Sequence, residues 1–264
     1  MRLATLIDGR AARVVDDGLV PLPGRLVDHL CRAQVDAPSE TLPPDAPLAA
    51  PISRPGKVVC LGLNYADHAA ESGQPVPPEP LLFGKPSSCV VGPDSNVEMP
   101  PGEVHLDYEA ELAIVMGRIA RKVSRDDALD FVGGYACFND VSERIAQMGD
   151  GQWFRGKSSD TFAPFGPWVV TPDEIPDPHA LSIRCTVNDE VRQDSNTSQM
   201  VFKVADIVSY CSHVFTLEPG DVIATGTPPG VALGSGKWLQ PGDTMTVAID
   251  GLGVLTNRVV APSQ

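Results

Sequence analysis

The segment Asp107-Tyr-Glu109-Ala-Glu111-Leu-Ala-Ile-Val-Met116 combines acids and apolar residues in a pattern that could do chemistry. Read as a strand, its side chains alternate between faces, so Glu109 and Glu111 project to one side. Ala110, Leu112, Ile114 and Met116 then form an apolar face on the other. Two neighbouring carboxylates running into an apolar strand repel each other and resist burial, and a divalent cation resolves both problems. The alternative is a solvated strand face. Tyr135-Ala-Cys-Phe-Asn-Asp140 is a second apolar run that ends in an acid. Asp140 either completes a three-carboxylate set or caps a helix over 141–149. A three-carboxylate set leaves about half of an octahedral shell for water and substrate oxygens, the arrangement of a catalytic Mg²⁺ or Mn²⁺.

Other segments carry acid–base and anion-binding groups. In Asn64-Tyr65-Ala-Asp-His68-Ala-Ala-Glu71, His68 and Glu71 stand at i and i+3 on one face of a short helix and can hydrogen-bond. A carboxylate that orients an imidazole and stabilises its protonated form serves to activate water; the alternative is an exposed surface pair. The flanking Gly62, Gly73, Pro75, Pro77 and Pro78 suggest a mobile cover. Lys157, in Gly156-Lys157-Ser-Ser-Asp160, either neutralises an anionic substrate or pairs with Asp160 at the surface. Thr225-Gly-Thr227-Pro-Pro-Gly230 offers hydroxyls and backbone N–H groups as a carboxylate cradle, or is a tight turn. The glycines of 230–236 before Lys237 miss the phosphate-loop spacing and lack a following Ser or Thr, which argues against nucleotide binding.

These residues need short strands and turns to position them, and the chain has the composition for that. Gly (24) and Pro (26) are abundant among 264 residues, punctuation that breaks helices. A hairpin over 1–15 turns at Asp8-Gly9, with an amphipathic helix near 25–33. Strands are expected at 57–61, 107–116, 132–138, 167–171, 181–187, 190–193, 222–225, 243–249 and 253–260. Ser124-x-x-Asp127 starts a helix over 125–131. Val204, Ile207, Val208, Cys211 and Val214 give 203–213 a helical period. The class is therefore β-rich α+β, not a doubly wound sheet. The proline-rich stretch 36–55 reads as a linker or surface wrap, dividing a small N-terminal unit (1–54) from a main domain (55–264).

Composition excludes several functions. The formal net charge is −14, which disfavours nucleic acid and anionic membranes as partners. No apolar run reaches the ~20 residues needed to span a bilayer. The N-terminal segment meets Asp8 too early for a signal peptide, so a cytoplasmic protein is expected. Six cysteines at wide spacing, with no C-x-x-C, read as buried, reduced thiols. Five histidines without metal-ligand spacing make a zinc site improbable, leaving carboxylates and a hard cation.

In order along the chain, GLNYADHAAE, PLLFGKP, DYEAELAIVMGR, GYACFNDVSER, GKSSDTFAPFGPW and LEPGDVIATGTPPGV resemble the fumarylacetoacetate hydrolase family, over roughly residues 55–260. The chain looks most like bacterial hydrolases of acylpyruvate-type compounds, including those acting on 2,4-diketo-3-deoxy sugar acids. It is also similar to bacterial decarboxylases and isomerases of aromatic catabolism. The resemblance implies a mixed β roll like the family's C-terminal domain, with few short helices, and protomers paired as homodimers. It implies Glu109, Glu111 and Asp140 as ligands of Mg²⁺ or Mn²⁺, His68 and Glu71 as a pair on a lid helix, and Lys157 as a catalytic lysine. Arg144 and Gln147 match positions on the substrate side of the metal, and Thr227 matches a threonine that meets a substrate carboxylate. The implied activity is hydrolysis of a C–C bond in a small anionic 2,4-dioxo acid, giving pyruvate and a second acid. Decarboxylation or isomerisation of a 2-oxo acid is the alternative, and a metabolite-binding protein without catalysis a further one.

Overall fold

Ala110–Met116 is apolar on both faces apart from Glu111, and all seven of its residues are buried. A strand of that kind belongs in the middle of a sheet with packed layers on either side. The computed structural model describes residues 1–31, 41–149 and 151–262. It places Ala110–Met116 inside an eleven-stranded mixed sheet, with Val132–Asn139 antiparallel on one side and Val222–Ala224 antiparallel on the other. Beyond Val222–Ala224 lie Val58–Gly62, in a parallel pairing, and then Leu81–Lys85. Beyond Val132–Asn139 come Ala163–Val170, Arg2–Leu6, Ala11–Val15 and Gly18–Leu22, so the N-terminal strands extend the sheet of the main body. The proline-rich stretch lies in part outside the described residues. Past it, Leu48–Ala49 pairs with Arg2–Leu6. A five-stranded sheet (Glu190–Asn196, Ser182–Val187, Thr244–Ile249, Gly253–Val260, Asn96–Glu98) covers one face of the first.

The two faces of Ala110–Met116 define two cores. Leu112, Ile114 and Met116 pack with Ile183, Cys185, Val247 and Leu255 of the second sheet. Ala113 and Val115 pack with Val58, Cys60, Phe138 and Phe165 on the other side. Among the described residues, five short helices sit at the margins: α1 (Ala66–Ser72), α2 (Arg144–Gly149), α3 (Trp153–Lys157), α4 (Val204–Val214) and α5 (Ala232–Ser235). The β-rich α+β class expected from sequence is the one observed, and no helix among the described residues is long and apolar enough to cross a membrane.

Several local expectations are corrected. The strand expected over 107–116 is two, Leu106–Asp107 and Ala110–Met116. Side chains take over from the ladder at the break: Tyr108 N–H donates to Asp107 Oδ1, and Glu109 N–H donates to Asn139 Oδ1. The helix near 25–33 is a 3₁₀ turn, Leu26–His29, with 32–33 outside the described residues. That over 125–131 is likewise a 3₁₀ turn, Ala128–Phe131, although Ser124 and Asp127 make the expected hydrogen bonds. The helix over 141–149 begins only at Arg144, and Glu143, not Asp140, accepts the N–H groups of Ile145 and Ala146 in its first turn. Val214 ends the apolar stripe of α4 exposed. All six cysteines are free and five are buried; Cys31 is exposed.

Candidate active site

The hairpin register assembles the carboxylates. Ala110 pairs with Asn139 and Glu111 with Phe138, so Asp140 falls opposite Glu109, whose carbonyl accepts the Asp140 N–H at 2.9 Å. Residues opposite each other, or one pleat apart, share a face of the sheet. Glu109, Glu111 and Asp140 accordingly converge, with one carboxylate oxygen from each lying within 4.8 Å of the others. They are 7%, 0% and 0% exposed, which removes the solvated-face reading.

Such crowding in a buried site needs cations. Lys157 Nζ donates to Glu109 Oε2 at 2.7 Å and to Asp140 Oδ2 at 2.8 Å, so it does not pair with Asp160 at the surface. Lys85, at the end of its strand, donates to Asp140 Oδ1 at 2.5 Å and to the Val141 carbonyl at 3.1 Å. Arg144 spans Asp107 and Glu109, through Nε at 2.8 Å and Nη2 at 2.6 Å, and its Nη1 holds Gln147 Oε1 at 2.8 Å. Burial pushes the Glu109 carboxyl upward, but Lys157 and Arg144 outweigh it and hold the group at about 2. Burial also works against the charge on Lys157, and Asp140 and Glu109 reverse that, leaving its pKa raised. Glu111 has no such partner. Burial, with Asp140 and Glu109 beside it, raises its carboxyl well above the usual range. Its Oε2 accepts the Gly226 N–H at 2.7 Å, while Oε1 is buried without a hydrogen-bond partner. An orphaned carboxylate oxygen beside two further carboxylates is a hard-oxygen donor set, and it fits Mg²⁺ or Mn²⁺.

All the remaining predicted residues but Glu71 line one cleft, which the cluster reaches through Glu109. Its walls include His68, Glu109, Arg144, Gln147, Lys157 and Thr227, and it encloses about 580 Å³ with its open mouth. His68 Nδ1 lies 3.2 Å from Glu71 Oε2, on α1 as expected. Glu71 stands back from the cleft, where its carboxylate also accepts the Gly230 N–H at 3.1 Å. The base of α1 is stapled by Asn64, which donates to the Thr225 and Phe202 carbonyls and accepts the Phe202 N–H. Ser195 donates to Asp67 at 2.6 Å on the same helix. Thr227 reaches the cleft, but its hydroxyl donates to the Ala110 carbonyl and accepts from Gln193. Its proton is therefore already placed within the protein.

Sequence reasoning missed Lys85, Asp107 and Gln193 as site residues. A lysine closing the apolar run of PLLFGKP was the available signal for Lys85. Asp107 is fully buried and receives Arg144, Tyr108 N–H, Ala232 N–H and Leu233 N–H, tying α5 to the site. Replacing it leaves the Arg144 guanidinium short of a partner in a buried setting. We expect Asp107→Ala to cost about 3–5 kcal/mol of stability in urea unfolding, and a loss below 1 kcal/mol would contradict this assignment.

The fold, and the cleft beside its buried carboxylate cluster, are those of one known class. Residues 57–260 match the family described as fumarylacetoacetate (FAA) hydrolase C-terminal, and the chain belongs to the fumarylacetoacetate hydrolase family. A mitochondrial protein of Bos taurus, oxaloacetate tautomerase FAHD2A, is 48% identical over 215 residues, covering 80% of this chain and 68% of that protein. Among solved structures, 5-carboxymethyl-2-hydroxymuconate delta-isomerase from Mycobacterium smegmatis superposes with a TM-score of 0.86 at 37% identity, covering 99% of this chain and 100% of the other. Maleylpyruvate hydrolase from Sphingobium sp. SYK-6, solved with manganese(II) and pyruvate, superposes with a TM-score of 0.83 at 31% identity over the whole of both chains. These relatives are enzymes, comprising a tautomerase, an isomerase and a hydrolase.

Proposed function

We propose that the chain is a divalent-metal-dependent hydrolase that cleaves a C–C bond in 2,4-dioxo acids of the acylpyruvate type, releasing pyruvate and a second acid. The observation that carries this reading is a cluster of three buried carboxylates that reaches one cleft through Glu109, where Lys157 and a histidine held by a glutamate also lie. Glu109, Glu111 and Asp140 would hold Mg²⁺ or Mn²⁺, which when bound supplies Lewis-acid stabilisation of negative charge on the substrate's oxo and carboxylate oxygens. The protein's own groups do the rest. His68 takes a proton from water as the oxygen adds to the C4 carbonyl, and Glu71 orients the imidazole and stabilises its charged form. Lys157 faces the anionic end of the substrate and offsets charge developing there. The C3–C4 bond then breaks with its electron pair passing to C3. The proton held by His68 is delivered to C3 and completes pyruvate.

A second reading has the same site tautomerise or decarboxylate a 2-oxo diacid. It is favoured by the identity to the oxaloacetate tautomerase. Tautomerisation needs one base to move a proton between C3 and the enol oxygen. Decarboxylation passes the C3–C4 electron pair to C3 as CO₂ leaves and a proton is added there, with no water consumed in either. Assaying the protein with Mg²⁺ or Mn²⁺ against acylpyruvates, oxaloacetate and a 2,4-diketo-3-deoxy sugar acid separates the readings. Pyruvate with a free acid supports hydrolysis, and pyruvate with CO₂ or interconversion of oxaloacetate tautomers supports the second. Absence of any turnover would reject both.

We also propose that the chain works as a homodimer. Beside the cleft, Ile145 on α2 and Phe154 on α3 are 42% and 55% exposed, large apolar side chains of the kind that interfaces cover. Light scattering should return twice the mass of the chain, and a monomer at micromolar concentration would contradict this.

A further inference from the structure

The cleft has a charged end and an apolar end. At the charged end, the cations are already engaged by protein carboxylates. Lys157 is shared between Glu109 and Asp140, and Arg144 is divided among Asp107, Glu109 and Gln147. Lys85 is buried behind Asp140. The Phe83 and Trp153 rings mark the other end, and Leu61, Leu63, Met148, Leu233 and Gln74 also belong to the lining. Among the described lining residues the cations are Arg144 and Lys157, and His68 is paired to Glu71.

The placement of Trp153 is specific. A Cβ on Gly62 would fall 2.4 Å from its Cζ3 atom and 2.7 Å from Cη2, so the glycine makes room for the indole. Phe83 meets the same ring edge-on, with centroids 5.4 Å apart at 73°. The Lys157 ammonium lies 5.1 Å from the centroid of Phe83, which therefore borders both ends of the cleft. Trp153 and Lys157 stand at i and i+4 on α3, one above the other and about 6 Å apart along the axis. A 2-oxo acid whose carboxylate end faces Lys157 thus lays its far end, a few bonds away, against Trp153 and Phe83.

Resting on the reading of this cleft as a 2-oxo acid site, we propose that it selects substrates whose far end is uncharged and apolar, a branched aliphatic or aromatic acyl group. It discriminates against a second carboxylate. An apolar tail gains by leaving water for these walls. A carboxylate tail loses its hydration and meets no unengaged cation in return. Oxaloacetate and maleylpyruvate both carry a second carboxylate, so the inference separates this chain from relatives named for them.

The tail can be tested alone with two 2-oxo acids of one shape, 5-methyl-2-oxohexanoate and 2-oxoglutarate, which exchange an isopropyl group for a carboxylate. Calorimetric titration of the Mn²⁺-loaded full chain reads their affinities whether or not either is turned over. The branched ligand should bind at least ~10-fold more tightly, and equal affinity or tighter 2-oxoglutarate binding overturns the proposal. Trp153→Ala should bring the ratio to within about threefold, and Trp153→Phe should retain most of it. An unchanged ratio in a folded Trp153→Ala variant, checked by circular dichroism, would also overturn it. If neither ligand nor oxalate binds in the presence of Mn²⁺, the underlying reading as a 2-oxo acid site fails as well, an outcome distinct from a wrong preference.

Discussion

Glu111→Gln should make the metal-free protein more stable at pH 8 while abolishing its metal-dependent turnover. The Glu111 carboxyl is raised well above its ordinary 4.5 by burial and by Asp140 and Glu109. Above pH 4.5 the unfolded chain has lost this proton while the folded chain still holds it, so folding takes up a proton. Stability then falls as pH rises from about 4.5 through the raised value. Glutamine has no proton to lose, and its amide can donate to the neighbouring carboxylates instead of repelling them. A gain in stability is therefore expected from urea unfolding in EDTA at pH 8. The gain should shrink toward pH 5. The same substitution removes an anionic oxygen from the metal donor set, and Mn²⁺ affinity and kcat should each fall by at least ~10³-fold. A variant that is less stable at pH 8 and binds Mn²⁺ as tightly as the parent would contradict the assignment. Glu109 works in the opposite direction. Held at about 2, it contributes stability that is present above pH 4.5 and lost as pH falls through about 2.

His68→Ala should lower hydrolysis by ~10²–10⁴-fold and leave Mn²⁺ and oxalate affinity within twofold of the parent. The split follows from position. His68 lines the cleft and is paired to Glu71, while the carboxylate cluster is held by Lys85, Lys157 and Arg144 without help from the imidazole. Glu71→Gln should give a smaller loss in the same direction, since the imidazole stays in place but its charged form loses a carboxylate. Stopped assays of product acid, alongside calorimetry with oxalate, separate the two quantities. Equal loss of metal binding and turnover in His68→Ala would place the histidine in the metal site instead.

Much of this site is legible in the amino-acid sequence, for identifiable physical reasons. The apolar runs before Asp140 and after Glu109 predict buried strands, and a carboxylate at the end of a buried strand must find a counter-charge. What the alternation of side chains does not encode is strand register. Asp140 meets Glu109 because Ala110 pairs with Asn139, and a shift by one residue would have turned Asp140 to the opposite face. The break at Tyr108 and Glu109 was invisible for a related reason. It depends on Asn139, a residue distant in sequence, supplying its side-chain carbonyl to the Glu109 N–H. The 3₁₀ turn at Ala128–Phe131 shows the weakness of a cap signal, and that at Leu26–His29 the weakness of a short apolar stripe, when too few residues follow to nucleate an α-helix. Lys85 and Asp107 escaped notice because each is defined by a partner on another element, Asp140 and Arg144 respectively. The apolar end of the cleft is likewise built across elements, with Gly62 yielding space to Trp153 from far along the chain.

The central claim, metal-dependent hydrolysis at this cleft, is tested most directly by incubating the protein with acetylpyruvate and Mg²⁺ or Mn²⁺ in H₂¹⁸O and analysing the acids by mass spectrometry. The expected result is pyruvate together with acetate carrying one ¹⁸O, formation of both stopping in excess EDTA and resuming when metal is restored. Cleavage that continues undiminished in excess EDTA, or acetylpyruvate that remains intact with metal present, would contradict it.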